Sequence, residues 1–343
     1  ETEKNKRYDW PASVNASLAE FNRSFFTSAN LNATDLAAID SLENAIYSTF
    51  HGDGNEVLDR SVGFGKSIAD AVFAWSLTDS YNQNNALPYT PPVGPGLWVP
   101  TSPSAPSGPF WGNDRPIIAS SGNNAQPGPP PFPYSEVPGS DFYNMVNDLY
   151  QASKVLTTDQ KNMALFWRDV PGVSTPGHWM SITQQAIRQS NSRLGKAALA
   201  YALTGICVND AVINVFHYKY IYNQVRPITY IRNVIGDVTW SPFIATPNHP
   251  EYPAAHGVVS AAAAEGLTAA FGNIGPLTDH TWDYLGFPAR TFNTFREFAL
   301  DAGNSRFYGG IHYQPSINIG LKEGTTVGDN IVNNLSQFSD WDK

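Results

Sequence analysis

The chain has 343 residues, of which 42% are apolar, 13% aromatic and only 15% charged; that is ample material for a large core, and too aromatic for disorder despite 26 prolines and 27 glycines. A formal charge of −9 excludes a nucleic-acid binder that works through whole-protein electrostatics. The single cysteine, Cys207, excludes a disulfide framework and a cysteine zinc site, and no apolar run reaches the ~18 residues of a membrane span, so no transmembrane segment is expected.

Residues 1–10 read as a polar tail. Residues 33–49 carry apolar side chains at helical spacing behind a Thr34 or Asp35 cap. Residues 63–80 repeat the pattern, with Ile68, Val72, Trp75 and Leu77 supplying much of the expected apolar face. The texture then changes: 15 of the 26 prolines fall in 88–138, which rules out an interior helix there. Trp98, Phe110, Trp111, Phe132 and Tyr134 give this stretch apolar anchors, so an ordered excursion over the core is expected in place of a linker. Short helices are expected at 141–153, 158–168 and 178–189. The segment 193–222 is the longest, and its small residues Ala197, Ala198, Ala202 and Gly205 suit a central helix approached closely by others. A hairpin around Gly236 is expected in 228–240, then helices at 257–271, 289–302 and 316–338. The fold class is therefore all-α, a helical bundle read as one domain over 1–343, with its functional core in 193–316. Few charges and much Asn, Thr, Ser and Gly favour an exported protein, whether periplasmic, lipid-anchored or secreted.

Three segments carry chemistry. Lys219 and Arg226 stand seven apart at the end of the central helix, just before Pro227. His249-Pro-Glu-Tyr-Pro-Ala254-Ala255-His256 places a histidine where the next helix begins, among free backbone N–H groups. Ser305-Arg306 is followed six residues later by His312. Separately these read as a solvated helix face, a cap and surface groups. Collected in space, they supply three permanent cations, helix-end amides and two histidines, a pocket for a compact tetrahedral oxyanion. One histidine would attack or ligate the central atom and the other would shuttle a proton.

The order Lys-x6-Arg-Pro, Pro-x-x-His, Ser-Arg-x5-His resembles the three-part signature of the type 2 phosphatidic acid phosphatase superfamily, shared with the vanadium-dependent haloperoxidases. The segments Phe166 to Trp179 and Trp98 to Pro116 are similar to stretches of bacterial haloperoxidase-like members and favour that branch. The resemblance implies a helical bundle of the haloperoxidase and acid phosphatase type. It makes His312 the axial ligand of vanadate, or the phosphorylated nucleophile of a phosphatase. Lys219, Arg226, Arg306 and the amides of Ala254 and Ala255 would bind the oxyanion, and His256 would be the acid–base group. Asp169 resembles the acid that orients this histidine, although a helix-end carboxylate reads equally well, and His249 is the candidate for the halide pocket. Vanadate is the implied cofactor, with phosphate as an alternative occupant. The implied substrates are hydrogen peroxide and a halide, or small phosphate esters, and the candidate oligomer is a homodimer.

Two departures from the signature stand out. Its usual serine and glycine before the histidine are Ala254 and Ala255, and loss of one oxyanion donor commonly lowers a rate ~10²–10³-fold. The acid expected four residues after the last histidine is replaced by Ser316, leaving His312 without an evident carboxylate. Three readings follow: a haloperoxidase driven by peroxide, an acid phosphatase acting through a phosphohistidine, and a non-catalytic oxyanion-binding relative. His51, His178, His217 and His280 have no partner at metal-ligand spacing and read as structural or exposed.

Overall fold

The computed structural model describes residues 2–26, 32–50, 54–168 and 173–336. Its contacts group the chain into two compact units, residues 1–80 and 81–343, where the sequence reads as one domain.

The first unit holds α1 (Trp10–Phe25), α2 (Ala33–Tyr47) and α3 (Asn55–Ser76). Helix α1 starts where the expected tail ends: Asp9 caps it by accepting the Ala12 N–H at 2.9 Å. The cap of α2 is Asn32, two to three residues earlier than expected, in a capping box with Asp35. In α3 the expected face is corrected. Ile68, Val72, Trp75 and Leu77 are exposed, and the buried positions are Leu58, Ser61, Gly65 and Ala69. Small residues win because α1 comes so close: a Cβ on Gly65 would stand 2.1 Å from the Ser13 carbonyl oxygen.

The second unit contains α4 (Tyr81–Asn85), α5 (Asp141–Lys154), α6 (Thr158–Phe166), α7 (Thr175–Gln189), α8 (Leu194–Tyr222), α9 (Pro227–Tyr230), α10 (Ala255–Phe271), α11 (Phe295–Tyr308) and α12 (Gln314–Leu335). The all-α class holds: among the described residues the named strands are only β1 (Leu277–Asp279) and β2 (Arg290–Phe292), which form one antiparallel pair. Two expectations are corrected. Residues 228–240 form α9 and one π turn at 231–235, not a hairpin; Gly236, at φ +87°, ends that turn. The helix expected at 289–302 begins only at Phe295, behind a Thr294 cap, because Arg290–Phe292 pairs with β1.

Helix α10 lies at the centre, buried round nearly its whole circumference between α8, α11 and α12. Its alanines permit this, and Gly324 of α12 goes further: a Cβ there would meet the Val258 carbonyl oxygen at 2.0 Å. Helix α8 is long and apolar enough to cross a membrane by length and composition, yet Ala200, Cys207, Ala211 and Val215 along it are core residues and its buried face includes Asp210 and Lys219.

Within residues 88–138, the stretch 108–125 lies along α8, while Phe132 and Tyr134 pack with Phe142 and Tyr230. The Ile117 and Ile118 N–H groups donate to the buried Asp210 carboxylate at 2.7 and 2.9 Å. Trp98 is fully buried, and Trp111, partly buried, packs on Phe216 with ring centroids 4.7 Å apart. Where α8 ends, with Asn223 in the left-handed region, the Trp98 N–H donates to Asn223 O at 2.7 Å and the Val225 N–H to Gly96 O at 2.9 Å. The Glu251 N–H donates to Gln224 O at 3.0 Å on the other side. The three residues before Arg226 are thus held by backbone pairing from both flanks.

Asp210→Ala would strand the Ile117 and Ile118 N–H groups, and an unsatisfied buried donor costs about 1–3 kcal/mol. The expected outcome is a lower urea midpoint together with new proteolytic cleavage inside 88–138; unchanged stability and unchanged cleavage would contradict this anchoring role.

Candidate functional site

The site is assembled from four backbone segments: the last turn of α8, the extended residues 224–226, the loop 249–254 with the first turn of α10, and the turn between α11 and α12. Lys219 and Arg226 are both completely buried. The Lys219 ammonium donates to the Pro250 and Glu251 carbonyls at 2.9 and 3.0 Å. Arg226 donates from Nε to His249 O at 2.9 Å, from Nη1 to Ile311 O at 2.7 Å and to His312 Nε2 at 3.1 Å, and from Nη2 to His249 Nδ1 at 3.0 Å. Among the described residues no carboxylate forms an ion pair with either cation.

Arginine has only donors, so its contact assigns the proton on the His312 ring. His312 Nε2 must accept and carries a lone pair; its proton is on Nδ1, which donates to Glu251 Oε1 at 2.9 Å. His249 Nδ1 lies between a donor, Arg226 Nη2 at 3.0 Å, and an acceptor, the Pro250 carbonyl at 3.2 Å, so its contacts select no single tautomer. Burial, then Arg226 and Lys219, hold His312 well below the usual histidine range; burial, then Lys219 and Arg226, do the same to His249. Both rings are neutral at pH 7. Burial also lowers Lys219 well below the ordinary lysine value, with Arg226 adding to the effect, and brings Arg226 down to about 10. Burial pushes Glu251 up to about 7, against the opposing pull of Arg226 and Lys219.

His256 stands in the first turn of α10. The Trp167 carbonyl, 3.0 Å away, can only accept, so His256 Nε2 carries a proton, shared with the Thr175 hydroxyl oxygen at 3.0 Å. Ala254, the N-cap of α10, is buried and its N–H donates to Ser316 O at 3.4 Å; Ala255 opens the helix. Arg306 is buried on α11, with Nε donating to the Ser305 hydroxyl at 3.0 Å, and its carbonyl accepts the Ile311 N–H at 3.1 Å. The structure therefore links Arg226, His249 and His312 directly, and ties Lys219 to the same loop through the Pro250 and Glu251 carbonyls. His256 lies close enough to act electrostatically on both His249 and His312, and the Arg306 backbone braces the turn that carries Ile311 and His312. Asp169 lies outside the described residues.

Glu251 corrects one expectation. With Ser316 in place of an acid, His312 reads as lacking a carboxylate partner; the structure provides one from a different loop. The signal was present in the sequence, a lone acid in Pro-Glu-Tyr-Pro within a weakly charged chain. Trp167, which meets His256 through its backbone, left no such signal. His178, read as structural or exposed, is buried against Asp279 at 2.7 Å and stacks on Trp167 with centroids 4.4 Å apart, so it supports the carbonyl that receives the His256 proton.

A second buried acid, Glu323 of α12, accepts from Asn214 at 2.8 Å through Oε1, while Oε2 has no hydrogen-bond partner. Burial pushes it up to about 8, although the Asn214 bond and the Lys219 charge oppose this. An acid raised on folding binds its proton more tightly in the folded state, so its contribution to stability falls as pH rises from about 4.5 to about 8. Glu323→Gln keeps the acceptor oxygen and removes the titration. Calorimetric unfolding should find the variant more stable than wild type above pH 8, with the gain disappearing below about pH 4.5; an equal difference at both pH values would refute the assignment.

Residues 199–340 match the family model for the second helical-bundle domain of vanadium chloroperoxidase (VCPO). The whole fold is similar to a bacterial vanadium-dependent iodoperoxidase, with a TM-score of 0.86, 31% identity, and coverage of 98% of this chain and 81% of that one. A holo-type bacterial vanadium-dependent chloroperoxidase aligns at TM-score 0.71 and 18% identity, covering 95% of this chain and 82% of that one. An apo-type chloroperoxidase aligns at 0.69 and 15%, covering 97% and 84%. The two chloroperoxidase structures speak for the fold alone. No curated protein sequence matches the chain.

Proposed function

Because the chain belongs to the vanadium-dependent haloperoxidase family, we propose that it oxidises a halide with hydrogen peroxide at a vanadate held by His312. The observation that carries this reading is a neutral histidine lone pair, on His312 Nε2, set beside two buried cations with which no carboxylate among the described residues forms an ion pair. Isolated buried charge is costly, and an oxyanion would satisfy it. The donor set therefore fits vanadate: Nε2 of His312 as ligand, with Lys219, Arg226 and Arg306 for its oxygens. Bound vanadate supplies a Lewis acid that activates peroxide without changing its oxidation state.

The protein's own groups divide the remaining work. Arg226 positions His312 and His249 at once, through Nη1 and Nη2. His256 holds a proton on Nε2 at the Trp167 carbonyl and serves as the acid–base group. His249, held at Nδ1 by Arg226 and the Pro250 carbonyl and flanked by Phe216 at 5.3 Å between ring centroids, is the candidate halide contact. Burial keeps bulk water from competing for the cations. Iodide is the halide to test first, since the relative that shares 31% identity is an iodoperoxidase.

A second reading, a phosphatase that forms a phosphohistidine at His312, is favoured by one feature: Glu251 on Nδ1 would support the attacking nitrogen.

With vanadate added, the protein should oxidise iodide in the presence of peroxide and lose this activity in His312→Ala. The same substitution should weaken vanadate binding at least ~10-fold while leaving phosphate, which needs no nitrogen ligand, nearly unaffected; Arg306→Ala should weaken both. Phosphate-ester hydrolysis without halide oxidation would favour the second reading. Equal losses of the two anions in His312→Ala, read by titration calorimetry, would remove the ligand role.

A further inference from the structure

We infer that Glu251 is the positioning residue of His312, the group that keeps the ring proton on Nδ1 and so presents the Nε2 lone pair to the pocket. The inference rests on the assignment of His312 as the ligand proposed above and extends it to a residue outside the three-part signature.

Glu251 is held at every polar point but one. Its N–H donates to Gln224 O at 3.0 Å, its carbonyl accepts the Lys219 ammonium at 3.0 Å, and its Oε1 accepts both His312 Nδ1–H at 2.9 Å and the Tyr313 N–H at 3.0 Å. The second of these bonds fixes the oxygen against the backbone next to the ring it orients. The side chain is fully buried, so no water competes for the ring proton, and the Ser316 hydroxyl adjoins the same carboxylate.

Two groups constrain this ring, and they differ in what happens when an anion binds. Arg226 acts on Nε2, the atom a ligand must take, so its contact has to yield on binding. Glu251 acts on the opposite nitrogen and can hold throughout. It is therefore the constraint that survives into the loaded site. Carboxylates hydrogen-bonded to ligand histidines fix the tautomer and raise the basicity of the ligating nitrogen. Here the carboxylate comes from the loop between α9 and α10, while the histidine comes from the turn before α12. Ligand geometry thus depends on how those two segments pack.

The test observes the ring itself. In protein carrying ¹⁵N-histidine, with His312 assigned through a His312→Gln variant, two-bond correlation spectra of the vanadate-free protein should show the proton on Nδ1 as a slowly exchanging downfield resonance. Glu251→Gln retains an acceptor oxygen and should keep that resonance, whereas Glu251→Met, of similar length without an acceptor, should lose it. Vanadate affinity should fall about 10–100-fold in Glu251→Met, while phosphate binds no more weakly, because a negative charge has left a cationic pocket. A wild-type proton on Nε2 would overturn the inference without any variant. So would an unchanged Nδ1 resonance in Glu251→Met, or parallel losses of vanadate and phosphate. If the wild-type protein binds no vanadate, the haloperoxidase reading fails, and the ring resonance still decides the role of Glu251.

Discussion

The arrangement depends on two cations, Lys219 and Arg226, buried with no ion-paired carboxylate among the described residues. Removing such charges from water is expensive unless dipoles replace the hydration. The protein does this with backbone carbonyls: Pro250 and Glu251 for the lysine, His249 and Ile311 for the arginine. Those four carbonyls belong to the loop before α10 and the turn before α12. The demand for solvation at the cations therefore draws both histidine-bearing segments to the end of α8.

This placement explains the peripheral features. The three residues before Arg226 are paired by Gly96 and Trp98 on one side and by Glu251 on the other, so the proline-rich excursion braces the arginine while also covering α8. The close approach of α12 to α10, made possible at Gly324, brings the start of α12 to the N-terminus of α10. That approach lets the Ala254 N–H reach the Ser316 carbonyl and Glu251 reach His312. With alanines at 254 and 255, the anion-binding capacity of the site lies mainly in fixed positive charge, which a low-dielectric surrounding strengthens.

Three histidines have distinct states because their partners differ in what they can donate or accept. Arg226 makes an acceptor of His312 Nε2, the Trp167 carbonyl makes a donor of His256 Nε2, and His249 Nδ1 stands between the Arg226 donor and the Pro250 carbonyl. Neutral rings beside buried cations suit anion ligation better than imidazolium would, since a protonated ring offers no lone pair. Behind His256, the stack of Trp167 on His178 and the His178–Asp279 pair give the carbonyl a rigid support.

The sequence by itself determined the all-helical class, the positions of α5 to α8, α10 and α12, and the residues able to bind an oxyanion, because helical periodicity and the Lys-Arg, His and Arg-His spacing are local properties of the chain. Local reading failed where a partner distant in sequence decided the outcome. Arg290–Phe292 became a strand by pairing with Leu277–Asp279; in α3 the buried side proved to be the small-residue face, because α1 packs against Gly65. The same reason separates Lys219, Arg226, His256 and His312, visible as a motif, from Glu251, whose role exists only because two loops separated by 60 residues of chain meet. Tautomers, buried charges and the carbonyls that solvate them are set by tertiary contact, and no spacing rule along the chain encodes them.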